Sequence, residues 1–509
     1  MKLQHLLSFY DLSGQNIKSP SQPELLNADI VGICFDARKV QPNTLFIAIK
    51  GTQSDGHDYI DQAIRGGAIA LVVENFDAVP QSFSGLVLKV ADSRQMLDLL
   101  AARFYDYPSQ KLFCFGVTGT NGKTSITYLL EHILNAHKKL TGVMGTINHR
   151  VGDRIWDSQM TTPDPITLQG RLHEFVSEGA YAAALEVSSH ALEQKRADSV
   201  HFNTVIFTNL THDHLDYHKT MKHYFEAKQK LFTDLMWFSL KRPLFAVVNI
   251  DDEFGRRLRL ADPVIGWTYG QNEADFQFKI LKMNFAETEF ELKTPLESIH
   301  VKVPLTGRHT VYNVVASMAA ALTCGVSLEQ SMRALTHFAG IPGRLQRVLT
   351  QNSQDKCVVF IDYAHTPDAL ENSLKSLQKI RQDSIKSGER ANKIMTVFGC
   401  GGDRDKTKRP KMAEIAARLS DYVYITSDNP RTEDPLTIIA DIQKGLPVGF
   451  SQFTVQEDRD AAIKLAITKA EDGDVILIAG KGHEDYQIIG TEKKYFSDYE
   501  LAQKYLKES

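Results

Sequence analysis

The apolar residues of this chain recur in short runs of strand length that alternate with stretches of helical period. Near the start the runs are Asp29 to Phe35, Thr44 to Lys50, Ala68 to Glu74 and Gly85 to Val90, separated by polar turns. They predict a small α/β domain over residues 1–108. In residues 109–341, Leu112-Phe113-Cys114-Phe115, Tyr181 to Val187, Thr204 to Thr208 and Phe245 to Ile250 predict a parallel sheet with helices on its faces. A section of antiparallel character, Phe276 to Val303, then precedes a helix from about Thr310 to Leu322. From 342 to 509 the alternation resumes with Val358 to Asp362, Ile394 to Gly399, Tyr422 to Thr426 and Val475 to Ala479, the pattern of a Rossmann-like, doubly wound domain. The polar stretch Arg381 to Asn392 reads as an exposed loop. A chain of 509 residues is too long for one core, and two to four domains, with three as the expectation, fit its length.

The glycine-rich stretch Gly116-Val117-Thr118-Gly119-Thr120-Asn121-Gly122-Lys123-Thr124-Ser125 lies between the apolar run ending at Phe115 and a helical stripe of Ile126, Leu129, Leu130, Ile133 and Leu134. In that setting backbone N–H groups and a helix N-terminus can hold phosphate, Lys123 adds a cation, and Thr124 can ligate Mg²⁺. The pattern departs from the general triphosphate loop at Val117, where a glycine is usual, so this is a variant loop in a central domain of P-loop ATPase type.

Polar clusters stand at the ends of other predicted strands. Glu186-Val187-Ser188-Ser189-His190 closes one, and Asn209 to Asp216 closes the next. Glu186 and His214 are the metal candidates beside the triphosphate, because Mg²⁺ takes few protein ligands and keeps phosphate and water oxygens; His212 and Asp213 can equally be structural. Tyr224 to Phe232 reads on composition as a solvated mixed-charge helix, with nothing to single out Lys228. In the last domain, Asp362 to His365, Gly399 to Asp405, Ser427 to Arg431 and Gly480 to Glu484 make four polar clusters at four strand ends, which predicts a cleft floor. Asp428 to Arg431 is either a proline turn or a binding segment.

Composition narrows the class. With 43% hydrophobic and 24% charged residues the chain reads as globular, and a net charge of −4 gives no reason to expect a nucleic-acid partner. Cys34, Cys114, Cys324, Cys357 and Cys400 are scattered without metal or redox spacing, as expected of reduced thiols in the cytoplasm. Neither a leader-like start nor a bilayer-length apolar segment is present in the sequence, so no membrane association is expected.

Taken together, the phosphate loop, the Glu186 strand end, the Asn209 to Asp216 run and the Asp362 to Asp368 run resemble the Mur ligase family, ATP-dependent amide-forming enzymes of peptidoglycan precursor synthesis. The resemblance covers essentially the whole chain. Within the family, Asp36-x-Arg38, Thr161-Thr162-Pro163 and Asp428-Asn429-Pro430-Arg431 resemble the members that add meso-diaminopimelate as the third peptide residue. It implies a monomeric cytoplasmic ligase whose substrates are ATP, UDP-MurNAc-L-Ala-D-Glu and meso-diaminopimelate. It implies ATP contacts from Gly119, Thr120, Asn121, Gly122, Lys123, Thr124, Ser125, Asn209, Asn313, Arg344 and Asp362. Phe35, Ala37, Thr52, Gln53 and Ser54 fall on its uridine pocket, with Ala37 in place of the usual serine, and Thr161, Thr162, Ser188, Gln194 and Arg196 on its dipeptide contacts. Lys123, Glu186, His214 and Lys228 take the catalytic positions. Mg²⁺ is implied on Thr124, Glu186, His214 and Lys228, the last as a carbamate formed with CO₂. For diaminopimelate the implied contacts are Arg404, Asp428, Asn429, Pro430, Arg431, Gly480 and Glu484.

A lysine-adding ligase, a folylpolyglutamate synthase-like ligase and a non-catalytic ATP-binding module remain the alternatives. Arg431 argues for the diaminopimelate reading, since a guanidinium grips the extra carboxylate that lysine lacks. A hinge near Ile341-Pro342-Gly343, closing the C-terminal domain before chemistry, is also expected.

Overall fold

The computed structural model describes residues 1–10, 16–18, 23–51, 54–350, 356–386 and 393–508. The chain folds into two compact units, Met1–Gly270 with Ala316–Ser327, and Gln271–Val315 with Leu328–Ser509.

In the first unit, the N-terminal sheet runs Ile17–Lys18, Leu86–Lys89, Ala68–Val73, Thr44–Ile47, Gly32–Cys34, parallel except for its first strand. The same unit carries a second sheet, in which Val264–Gly270, Leu244–Asn249, Thr204–Phe207, Phe113–Thr118, Ala182–Glu186 and Thr141–Met144 are parallel neighbours. Its central strands are buried along their whole length, which is why they read as continuous apolar runs rather than as alternating ones. A hairpin, Asn148–Val151 with Arg154–Asp157, extends it antiparallel. Sequence patterning missed that hairpin because its outer strand is polar and mostly exposed.

In the second unit, Phe276–Met283, Thr288–Lys293 and Ser298–Val303 form the expected antiparallel meander. Its larger sheet runs Gln346–Arg347, Cys357–Asp362, Asp474–Ala479, Ile394–Phe398, Tyr422–Ile425, Phe453–Val455, parallel apart from the first pair. The period-two alternation of its strands feeds two cores. Phe360, Phe398, Val423 and Leu477 pack under the helices Pro367–Lys386, Lys408–Leu419 and Pro435–Gln443. Val359, Val397, Tyr424 and Ile476 pack under Arg459–Lys469 and Asp498–Glu508 on the other face. That is the doubly wound arrangement.

One expectation fails here. Arg381 to Lys386 is helix, not loop, because Leu370, Leu374, Leu377, Ile380 and Ser384 continue one buried stripe at helical spacing; residues 387–392 of that predicted loop lie outside the described residues. Among the described residues no helix is long and apolar enough to cross a membrane, and all five cysteines are free thiols.

Candidate active site

The loop strand Phe113–Thr118 is flanked by Ala182–Glu186 on one side and Thr204–Phe207 on the other, so three strand ends deliver their loops to one place. Gly119, at φ 144°, lies so close to Thr208 that a Cβ would fall 1.8 Å from its Oγ1. Gly122, at φ 91°, begins the helix Lys123–Ala136, which has no side-chain cap over its first N–H groups. Such an open helix start suits an anion.

The loop is tied down by the following strand end. The Asn209 side chain accepts from Asn121 N at 3.0 Å and donates to Asn121 O at 3.2 Å, while Asn209 O accepts from Thr120 N at 2.8 Å. The Thr120 hydroxyl meets Tyr224 OH at 3.1 Å and accepts from Thr211 N at 3.0 Å. Thr120, Asn121 and Asn209 are therefore brought together. Thr124 and Ser125 occupy the helix's first turn, Thr124 buried.

Lys123 Nζ donates to the loop's own carbonyls, Gly119 O at 2.9 Å and Thr120 O at 2.8 Å. Lys228 Nζ donates to the same Gly119 O at 2.9 Å. Two lysine nitrogens thus share one acceptor, and Lys228 is only 1% exposed. Burial, reinforced by Lys123 and partly opposed by Asp213, holds the Lys228 pKa well below the ordinary lysine value. The solvated-helix reading of this segment is overturned. Tyr224, Ala227, Lys228, Leu231 and Phe232 form one buried stripe at i, i+3, i+4, i+7, i+8. That spacing was present in the sequence, with a lysine at a core position.

Glu186 is 2% exposed. Its Oε1 accepts from Thr146 N and its Oε2 from Thr146 Oγ1, each at 3.0 Å. Thr146, missed by sequence reasoning, follows the strand Thr141–Met144 next to Ala182–Glu186, and its hydroxyl also meets Thr161 Oγ1 at 3.0 Å. His214 sits at φ 53° with its ring edge-on to His190 and Tyr224. Burial, aided by Lys123 and Lys228 and opposed by Asp213, lowers its pKa and favours the neutral imidazole that binds metals. His212, Asp213 and His214 are all exposed, the His214 side chain at 44%, so its desolvation is partial. Among the described residues no three His, Cys, Asp or Glu side chains converge as a ready-made metal cluster. A carboxylate, an imidazole and a threonine hydroxyl around a phosphate loop are nonetheless of the chemistry that suits Mg²⁺, which draws much of its coordination from phosphate and water.

A cavity of 540 Å³ is lined by Phe35, Ala37 and Ser54 from the N-terminal sheet region and by Met160, Gln194 and Arg196 from the central region. Thr52 and Gln53 lie outside the described residues. The Arg196 guanidinium donates to Gln194 Oε1 and, at 2.9 Å, to Thr162 O. Thr162 Oγ1 in turn donates to Glu186 O at 2.7 Å and accepts from Ser188 N at 3.0 Å. A hydrogen-bonded chain therefore runs from the Glu186 strand end to the cavity wall. The cavity also gathers Arg38 and Arg94, the latter not anticipated.

The second unit holds the remaining candidates. Asn313 lies in the helix Arg308–Leu322, and Arg344 is exposed after Gly343. Asp362 closes a strand, accepts from Leu345 N at 2.7 Å and Ser373 Oγ at 3.0 Å, and has its pKa raised by burial.

Asp428, Asn429, Pro430, Arg431, Gly480 and Glu484 are brought together as the strand-end pattern predicted. Asn429 Nδ2 donates to Glu484 Oε2 at 3.0 Å, and a Cβ on Gly480 would lie 3.0 Å from Asp428 Oδ2. Arg431 adopts φ 53° and donates from Nη1 to Gly402 O at 2.8 Å. The hairpin Tyr486–Ile489 with Glu492–Tyr495 grips this turn through Arg431 N to Ile488 O, Gly490 N to Arg431 O and Gln487 Nε2 to Asp428 O. Arg404 belongs to the neighbouring loop, its Cγ 3.8 Å from where a Gly401 Cβ would stand, beside Arg431 Nη1 at 3.0 Å. The buried Lys481 at the centre of this group was not singled out from sequence.

Three family models match the chain in succession: the Mur ligase family catalytic domain over residues 29–105, the Mur ligase middle domain over 117–321, and the Mur ligase glutamate ligase domain over 343–482. The chain is 41% identical to the UDP-N-acetylmuramoyl-L-alanyl-D-glutamate–2,6-diaminopimelate ligase of Geobacillus thermodenitrificans, with 100% of both chains covered. It is 44% identical to the protein of the same name from Synechococcus elongatus, over 94% of this chain and 95% of the relative. A solved structure of a ligase of that name superposes with a TM-score of 0.71 at 32% identity, covering 100% of this chain and 99% of the other. Matched along its length by these models and relatives, and built as three α/β domains, the chain belongs to the Mur ligase family.

Proposed function

We propose that the chain joins meso-diaminopimelate to the side-chain carboxylate of D-Glu in UDP-MurNAc-L-Ala-D-Glu, with ATP converted to ADP and phosphate, as a monomer in the cytoplasm. The observation that carries this reading is the burial of Lys228 against the carbonyl of the phosphate loop, beside Lys123. A loop used only to bind nucleotide has no need of a second, desolvated amine there.

In this reading the three functional regions are residues 1–108, 109–341 and 342–509. The cavity by Phe35, Ala37 and Ser54 takes the uridine end, with Thr52 and Gln53 its further contacts, and Thr161, Thr162, Ser188, Gln194 and Arg196 take the dipeptide. ATP phosphates replace the loop carbonyls as partners of Lys123, with Asn209 keeping the loop in shape and Asn313, Arg344 and Asp362 completing the nucleotide contacts. Mg²⁺, when bound by Thr124, Glu186, His214 and the modified Lys228, would neutralise charge on the transferring phosphoryl group. Carbamylation of the Lys228 amine by CO₂ would turn a nitrogen that opposes a cation into an anionic oxygen ligand.

The reaction runs in two steps. The D-Glu carboxylate attacks the γ-phosphorus and ADP departs, leaving an acyl phosphate. The amine of diaminopimelate attacks that carbonyl, an amide forms, and phosphate and a proton leave. Positioning of the two anions and neutralisation of their charge lower the first barrier. Arg404, Asp428, Asn429, Arg431, Gly480 and Glu484 bind the amino acid, Arg431 taking its distal carboxylate and Glu484 an ammonium group.

The test is to trap the intermediate. Incubated with ATP, Mg²⁺, UDP-MurNAc-L-Ala-D-Glu and hydroxylamine but no amino acid, the protein is expected to give an ATP-dependent hydroxamate at the D-Glu side chain. ADP release without hydroxamate would contradict the acyl-phosphate route.

A further inference from the structure

Lys481 is wholly buried, yet nothing in the reaction proposed above requires it. It sits between Gly480 and Gly482, both at positive φ, 118° and 57°. A Cβ on Gly482 would fall 2.5 Å from the Tyr363 Cβ, so the chain beside the lysine packs too closely for a side chain there. Its Nζ lies 3.0 Å from Asn429 Oδ1, 3.3 Å from Asp428 Oδ1 and 3.7 Å from Glu484 Oε2. Asn429 Oδ1 also accepts from Ile488 N at 2.9 Å, which leaves its amide nitrogen to donate to Glu484. One ammonium therefore organises two carboxylates and an amide.

We infer that Lys481 is a positioning residue for the incoming amino acid, holding Asp428, Asn429 and Glu484 in the one arrangement that receives its ammonium group. The inference rests on the proposed diaminopimelate site. Asp428 and Glu484 are two nearly buried carboxylates brought to the same ammonium. Burial, together with Asp428, raises the Glu484 pKa, while Lys481, Asn429 and His365 oppose the rise. Other titratable groups around this cluster include Tyr363 and Tyr486, which both interact with Glu484, Cys400, which interacts with Asp428, and Arg459, which is paired with Asp498. Glu484 must be a carboxylate to hold an ammonium, so removing Lys481 should cost affinity for the amino acid and cost more as pH falls.

The full-length Lys481→Met variant, with saturating ATP and UDP-MurNAc-L-Ala-D-Glu, is expected to raise KM for meso-diaminopimelate by about tenfold or more, with kcat within about threefold of wild type. Its KM for ATP should not move, and the acid limb of kcat/KM for the amino acid should shift upward by about one pH unit. A merely structural lysine would lower stability and move neither KM nor the limb, and that result overturns the inference. Should Lys481→Met fail to fold, Glu484→Gln and the double variant Lys481→Met/Glu484→Gln decide, since the double variant removes a buried cation together with an anion. The part of the effect carried by Glu484 is absent from both variants, so a further rise in KM from the single to the double variant reports Asp428 and Asn429, which Lys481 also holds; that rise supports the inference, and equal KM values overturn it. Wild-type protein that ignores meso-diaminopimelate would instead strike the functional reading, and would be recognised before any variant is compared.

Discussion

Lys228→Met is expected to lower kcat for phosphate release by at least about a thousandfold while ATP still binds. Methionine keeps the length and apolar stem of the lysine, so the buried stripe with Tyr224, Ala227, Leu231 and Phe232 stays packed. What is lost is the nitrogen held 2.9 Å from Gly119 O. The ATP loop itself is shaped by Asn209 and Thr208, which the substitution does not touch. Binding and turnover should therefore separate.

The depressed pKa of Lys228 adds a condition that wild type alone can test. Only a neutral amine reacts with CO₂, and burial beside Lys123 shifts Lys228 towards that form. Stripping CO₂ from the buffer should reduce wild-type turnover, and bicarbonate should restore it. Lowering the pH returns the proton to nitrogen and should reduce turnover in the same direction. A Lys228→Met protein with wild-type kcat would remove Lys228 from the mechanism.

The second large effect is on amino-acid choice. Arg431→Ala is expected to raise KM for meso-diaminopimelate by about a hundredfold or more, the cost of losing two charge-assisted hydrogen bonds to a carboxylate. Lysine, which has no such carboxylate, should lose its disadvantage, because no guanidinium is then left facing an uncharged end. The main chain of the turn should stay in place, held by Ile488 O, Gly490 N and the Gln487 side chain rather than by the arginine side chain. Arg431→Lys should not rescue the distal contact, since a single ammonium cannot form the planar two-bond grip. Ratios of kcat/KM for the two amino acids measure this directly, and an unchanged ratio in Arg431→Ala would assign the distal carboxylate to another residue.

Much of this molecule could be read in its residues because local patterning and packing agree. The strand before Gly119 and the helix after Gly122 are each buried as their periods demand, and the strand-end clusters of the doubly wound sheet land beside one another because parallel strands share a direction. What composition and periodicity did not show was charge in the core, Lys228 having been marked only by the family resemblance. Lys228 and Lys481 look like ordinary surface lysines by composition, and only the neighbours that bury them, Tyr224 and Phe232 for one, Asp428 and Asn429 for the other, show otherwise. Thr146 was missed because its partner, Glu186, is 40 residues away. The helix through Lys386 was missed because polar residues on its outer face masked the buried stripe of Leu377, Ile380 and Ser384.

The account is tested most directly by product stoichiometry with purified full-length protein, ATP, Mg²⁺ and UDP-MurNAc-L-Ala-D-Glu, comparing meso-diaminopimelate with L-lysine. It predicts one ADP, one phosphate and one UDP-MurNAc-tripeptide per turnover with meso-diaminopimelate, and little product with lysine. Equal tripeptide formation from the two amino acids, or ATP consumed without any amide product, would contradict it.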